Sequence, residues 1–138
     1  MKIAVIDGQG GSIGKHIISK LRAHLNLDTE IYALGTNAIA TTAMLKGGAN
    51  EGATGENTIV YMANRVDIII GSVAILIANS MCGEMTPKMV AAVGESKAKK
   101  YLLPMNRNDI HIVGAAKQPL PHQIEELVLT LKTIYNLE

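Results

Sequence analysis

The chain has 138 residues, of which 48% are hydrophobic and only 18% charged, with a net charge of +1 at pH 7. That length suits one domain with its own core, the composition excludes a disordered chain, and the charge balance gives no pull toward a polyanion. Without Trp or Phe and with only four Tyr, the chain lacks the stacking platforms of single-strand nucleic-acid binders, so no nucleic-acid partner is expected.

The first element is the apolar run Lys2 to Asp7, a buried strand around Ile3–Ile6, which empties into Gly8-Gln9-Gly10-Gly11-Ser12-Ile13-Gly14-Lys15. Ile13, Ile17, Ile18, Leu21 and Leu25 recur at helical spacing, predicting a helix from Ser12 to Leu25 with Lys15, Lys20 and Arg22 toward water. A strand over Glu30–Leu34 closes on Gly35-Thr36-Asn37, and a helix from about Ala38 to Lys46 ends at Gly47-Gly48 in a left-handed cap. Ala49–Ala53 reads as a short third strand, Thr54-Gly55-Glu56-Asn57 leads into a helix through Arg65, and Val66–Ile70 is the next strand. From Ser72 to Glu84 nearly every position is apolar, and periodicity does not separate helix from strand.

Thr86-Pro87 starts a further helix, with Thr as cap and Pro in the first turn. Lys100–Leu103 and Ile110–Val113 read as strands around the polar loop Asn106-Arg107-Asn108-Asp109. The last helix runs from about Pro121 to Tyr135, with Ile124, Leu127, Val128, Leu131 and Ile134 on one side. Strands alternating with helices predict an α/β fold, a doubly wound and mostly parallel sheet with helices on both faces, Rossmann-like, in a single domain over residues 1–138.

In such sheets ligands sit beyond the carboxyl ends of the strands. The polar and glycine-rich residues collect there: Gly8 to Lys15, Gly35 to Asn37, Thr54 to Asn57, Gly71-Ser72 and Asn106 to Asn108. Gly8 to Gly14 fits Gly-x-Gly-x-x-x-Gly, one residue longer than the usual dinucleotide fingerprint, and a strand-to-helix turn of this kind cradles a phosphate with backbone N–H groups. The acidic residue that holds ribose hydroxyls of NAD about 20 residues further on is missing, with Gly35-Thr36-Asn37 in its place. This tilts away from strict NAD use while leaving NADP or a mononucleotide open. Gly14-Lys15 shares the end of a P-loop, but the spacing is one residue off and His16 stands where a magnesium-binding hydroxyl belongs, which demotes NTP hydrolysis.

Several residues carry two readings. Lys15 is a phosphate contact or a solvated helix residue, and Arg107 a phosphate-binding guanidinium or a solvated loop residue. Asp7 accepts from the N–H groups of its own turn, ahead of a metal or ribose contact. Thr54, Gly55 and Asn57 cap the next helix or offer a second anion site. Asn79, Ser80 and Glu84 put polar groups into a cleft, with Cys82 between them as a small core residue. The four histidines have no zinc spacing, and no catalytic triad can be assembled.

Gly8–Lys15, Ala33-Leu-Gly-Thr-Asn-Ala38, Gly52-Ala-Thr-Gly-Glu-Asn57, Asp67–Gly71, Ala78-Asn-Ser-Met81 with Gly83-Glu84, and Pro104-Met-Asn-Arg107 together resemble a family of small uncharacterised bacterial proteins. That family is a domain of unknown function frequent in anaerobic Gram-positive bacteria, so the resemblance implies no activity and no catalytic residues. The Gly35-Thr36-Asn37 strand end is also similar to the phosphate-binding loops of methylglyoxal synthase-like domains. Their acidic catalytic motifs have no counterpart here, so only phosphate binding is implied.

The expectation is a nucleotide, NAD(P) or a related adenine nucleotide, over Gly8, Gln9, Gly10, Gly11, Ser12, Ile13, Gly14, Lys15, Gly35, Thr36 and Asn37. A phosphate-containing substrate would meet Thr54, Gly55, Asn57, Asn79, Asn106 and Arg107. Enzyme and sensor are both open, as is an alternative in which these loops serve a small phosphorylated metabolite. A homo-oligomer is expected, with a contact that includes the Ser72–Val93 region, where Ile75, Leu76, Ile77, Met81, Met85 and Met89 supply more apolar surface than one element hides. The third alternative is a ligand-free assembly protein built on the surface around Met81, Met85 and Met89. The lone Cys82 points to a reducing cytoplasm. Met1–Asp7 is too short and too soon acidic for a secretion signal, and the apolar run Ile68–Ala78 is too short to span a bilayer.

Overall fold

A computed structural model describes residues 1–26, 28–105 and 109–136. In chain order the elements are β1 (Lys2–Asp7), α1 (Ser12–His24), β2 (Glu30–Gly35), α2 (Ala38–Lys46), β3 (Glu51–Thr54), α3 (Glu56–Met62), β4 (Ile68–Ser72), a 3-10 turn Val73–Leu76, α4 (Pro87–Glu95), β5 (Lys99–Leu103) and α5 (Leu120–Tyr135). The five strands form one parallel sheet in the order β3-β2-β1-β4-β5. The predicted α/β, Rossmann-like architecture is the observed one.

Alternation along the strands sorts the core into two layers. Ile3 and Val5 of β1 stand opposite Ile31 and Ala33 of β2 and Ile68 and Ile70 of β4. All six pack with Ile17, Ile18 and Leu21 of α1, Met44 of α2 and the stripe Ile124, Leu127, Val128, Leu131 of α5. On the other face Ala4, Ile6, Leu34 and Ile69 pack with Ile59 of α3 and Met89 and Val93 of α4. Covering both faces is what a parallel sheet requires, and it explains why β1 and β4 read as unbroken apolar runs.

Caps fix the helix starts near the strand ends. The Asn37 side chain accepts from Ala40 N–H at 2.9 Å to cap α2, and Thr86 Oγ1 accepts from Met89 N–H at 3.3 Å to cap α4, as Thr86-Pro87 predicts. Helix α1 has no side-chain cap at Gly11; instead Asp7 accepts from Gly14 N–H at 2.7 Å.

Several expectations are corrected. The third strand is shifted to Glu51–Thr54 and the fourth to Ile68–Ser72, where they find register beside β2 and β1. Ile110–Val113 forms no strand, only a single bridged position at Ile110, and Val113 is 97% exposed rather than set against a layer. The ambiguous run from Ser72 is neither helix nor strand: a 3-10 turn leads into a tight loop closed by the Ser80–Met85 bridge.

Met81, Met85 and Met89, expected as an exposed contact surface, are buried with Ile75 in the α3/α4 layer, because the loop folds them back onto the sheet; Leu76 stays exposed. Ile134 faces away from the α5 stripe and is also exposed. Arg22 is not simply solvated: its guanidinium donates to the carbonyls of Gly48 at 2.7 Å and Thr29 at 2.8 Å and to the Asn50 side chain, clamping α1 to two loops. Gly47 remains right-handed and Gly48 alone takes positive φ, at 115°.

Candidate functional site

Strand β1 lies between β2 and β4, so the chain builds outward to β3 and then crosses to the other side of β1. The carboxyl ends of β1 and β4 therefore border the switch crevice of the sheet. Loops after β1, β2 and β4 meet beside it.

In the first loop, Asp7 accepts from Gly8 N–H at 2.8 Å and from Gly14 N–H at 2.7 Å, and Gly11 N–H closes a turn onto the Gly8 carbonyl at 2.9 Å. This is the turn-stabilising role expected of Asp7. The glycines are not equivalent. A Cβ on Gly8 would lie 2.5 Å from Thr36 Oγ1, one on Gly14 2.5 Å from Met44 Sδ, and one on Gly11, at φ +73°, 2.7 Å from the Ala40 Cα. Packing thus accounts for three of the four. A Cβ on Gly10 would meet nothing within 4 Å. Among the described residues no acceptor is found for the N–H groups of Gly10, Ser12 and Ile13.

The second and third loops are joined to the first through one oxygen. Glu84 Oε1 accepts from Gln9 N–H at 2.9 Å, Thr36 Oγ1–H at 2.6 Å and Asn37 Nδ2–H at 2.7 Å. Asn37 Nδ2 also donates to the Gln9 carbonyl at 3.0 Å, and because its Oδ1 caps α2, the orientation of the amide is fixed by the network. The Thr36 hydroxyl first, then the Gln9 N–H and the Asn37 amide, hold the Glu84 carboxyl below its ordinary range despite partial desolvation, so it is charged at neutral pH.

The loop that delivers Glu84 holds Asn79, Met81 and Cys82 at φ between 56° and 64°, followed by Gly83 at 89°. Met81 and Met85 anchor it in the core, and Ser80 Oγ donates to the Ala74 carbonyl at 2.6 Å. Cys82, expected as a small core residue, is exposed on this loop, with its sulfur 3.9 Å from Gln9 Nε2.

Thus Gln9, Thr36 and Asn37 come together with Glu84, a residue that sequence reading singled out only as a polar group in a cleft. Its link to Gln9 spans 75 positions, and no spacing rule signals it. Asn79 shapes the loop through its backbone, accepting from Gly83 N–H and donating to the Met85 carbonyl. Lys15 and Ile39 are exposed along a groove between α1 and α2 that ends at Lys46.

Thr54, Gly55 and Asn57 make no direct hydrogen bond to Gln9, Thr36, Asn37 or Glu84, but Gly55 N–H donates to the Gly35 carbonyl at 2.9 Å and Thr41 Oγ1 donates to the Asn37 carbonyl at 3.2 Å. The Thr54 hydroxyl pairs with Thr41 Oγ1 at 2.8 Å, Gly55 caps α3 without a side-chain bond, and α3 is only 7 residues long. Glu56 accepts from Thr86 Oγ1 at 2.6 Å, tying α3 to the start of α4. The expected side-chain cap is not formed there. Asn106 and Arg107 lie outside the described residues. A cavity of about 450 Å³ at the carboxyl end of β5 is lined by Pro104 and Met105 and, among others, by Lys117 and Gln123, and includes none of Gln9, Thr36, Asn37 and Glu84. Among the described residues no group of three or more His, Cys, Asp and Glu could hold a metal, and no helix is long and apolar enough to cross a membrane.

Sheet order, layers and the strand-end cluster define a Rossmann-like α/β protein. More particularly, the chain belongs to the family described as Domain of unknown function (DUF3842), whose family model matches residues 2–136. No curated protein matches it. Among solved structures it is similar to a dodecameric FMN-dependent UbiX-like decarboxylase from Escherichia coli O157:H7, at 12% identity and a TM-score of 0.55, over 100% of this chain and 96% of that one. At that identity the likeness is one of fold.

Proposed function

We propose that the chain is a single domain that binds a nucleotide cofactor over the Gly8–Gly14 loop, at the carboxyl ends of β1 and β2. The observation that carries this reading is the convergence of Gln9, Thr36 and Asn37 on one Glu84 oxygen: a rigid, charged cluster beside the switch crevice, where sheets of this order take their ligands. The open space over Gly10 and the N–H groups of Gly10, Ser12 and Ile13 supply room and donors for a phosphate. NAD(P) fits the strand–glycine loop–helix order, and FMN, the cofactor named for the similar decarboxylase, is the other cofactor to test. A small phosphorylated metabolite is the second reading, since Gly55 N–H donates to the Gly35 carbonyl at 2.9 Å and Thr54 reaches the Asn37 carbonyl through Thr41.

The decarboxylase is dodecameric, which favours a homo-oligomer here as well. Its contact would use surface other than the buried methionines. A cytoplasmic location fits the free Cys82.

Titration calorimetry with NAD, NADP, FMN, AMP and ATP tests the function. At least one binds the parent at micromolar to millimolar concentration, and Gly10→Val weakens it about tenfold or more with the melting transition nearly unchanged. Absence of binding by all five at millimolar concentration rejects the reading.

A further inference from the structure

Strand β2 closes on Gly35-Thr36-Asn37 and has no carboxylate of its own, yet a carboxylate stands at its end. Glu84 brings it there from the loop after β4. All three of its hydrogen bonds fall on Oε1, and Oε2 has no partner among the described residues. A carboxylate oxygen so held fixes the plane of the group and leaves the second oxygen as an oriented acceptor.

We propose that Glu84 is the specificity-determining acceptor of this site: with Oε1 held by Gln9, Thr36 and Asn37, Oε2 takes the hydrogen of a free ribose 2′-hydroxyl and repels a 2′-phosphate. This rests on the reading that a nucleotide binds here. It reverses the cofactor preference suggested by the bare β2 terminus, because the missing acid comes from 48 positions beyond Thr36.

A carboxylate accepts from a hydroxyl but gives nothing to a phosphate, and among the described residues no Lys or Arg is hydrogen-bonded to it. The rival reading makes Glu84 a stand-in for a ligand phosphate, displaced on binding. Displacement would break three charge-assisted bonds and disturb a tightly packed turn. A Cβ on Gly8 would already lie 2.7 Å from Met81 Sδ and 3.0 Å from Glu84 Oε1.

The test is calorimetry with NAD, NADP and FMN on the parent, Glu84→Gln and Glu84→Ala, with thermal unfolding as a control for folding. The parent prefers NAD over NADP by about tenfold or more, and both variants lose that preference mainly through weaker NAD binding. Glu84→Gln keeps the size of the side chain and an oxygen for the three donors, and the parent's own ratio needs no variant. Equal or tighter NADP binding by the parent overturns the proposal. So does binding of FMN alone, or tighter binding of both dinucleotides by Glu84→Ala, the signature of a displaced carboxylate. If no nucleotide binds the parent, the functional reading itself fails; binding without NAD preference sinks only the role of Glu84.

Discussion

Between β1 and α1 only Gln9 and Gly11 take positive φ, at 50° and 73°, whereas the turn over residues 77–85 holds Asn79, Met81 and Cys82 there, with Gly83 as its only glycine. The first loop gains space: side chains from β2, α2 and the second loop pack where its Cβ atoms would be. The second bears more conformational cost, since three of its non-glycine residues, against Gln9 alone in the first, occupy the left-handed region at roughly 1–2 kcal/mol each, less for Asn. That cost is offset by burying Met81 and Met85 and by the three bonds to Glu84. A glycine-rich turn therefore signals close packing at least as much as a ligand, while the residue that organises the site sits in a loop with no such signal.

The contrast can be broken most sharply inside the first loop. Gly14→Val should destabilise the protein by about 3 kcal/mol, because its Cβ would lie 2.5 Å from the sulfur of the fully buried Met44 and 3.0 Å from the Asp7 Cβ. Gly10→Val should stay within about 1 kcal/mol of the parent, because nothing lies near its Cβ. Urea unfolding of the two variants measures the difference; equal losses would mean that the loop glycines share one structural role.

The link between the loops is tested by acid. The carboxyl of Glu84 titrates below its ordinary value of 4.5 in the folded protein, mainly through the Thr36 hydroxyl, so its stabilisation is present above that value and is lost as pH falls through the folded pKa. The gap in unfolding free energy between parent and Glu84→Gln should be flat from about pH 7 to 5 and shrink at lower pH. A gap independent of pH would show that the charge does not hold the loops together.

The smallest effect belongs to the strained turn. Cys82→Gly should stabilise by up to about 1 kcal/mol, since the exposed side chain gives up only a 3.9 Å contact with Gln9 Nε2 and the backbone loses its steric penalty. A lower melting temperature would place the cost elsewhere in the turn.

The alternation of strands and helices was legible because each buried strand is an apolar run followed by a polar or glycine turn, and the cap at Thr86-Pro87 was legible for its local chemistry. Ser72 to Glu84 was not, because its buried residues Ala74, Ile75 and Met81 alternate with exposed Leu76, Ala78 and Cys82 in neither the helical nor the strand period. Ile110–Val113 has the composition of a strand, but composition says nothing about whether a sheet edge is available. Gln9, Thr36 and Asn37 could be named from their places at strand ends. Glu84 joins them only through tertiary structure.

At the far side of the sheet, the hydroxyls of Tyr101 on β5 and Tyr135 on α5 lie 2.8 Å apart, with their rings edge to face. This bond, with burial adding to it, raises the Tyr135 phenol to about 12. In a chain without Trp or Phe, half of the tyrosines thus form one optical gauge at the seam between the last strand and the last helix. In the variants Tyr32→Leu and Tyr61→Leu combined, tyrosine fluorescence and near-ultraviolet dichroism would report detachment of that helix from Tyr101 and Tyr135 alone.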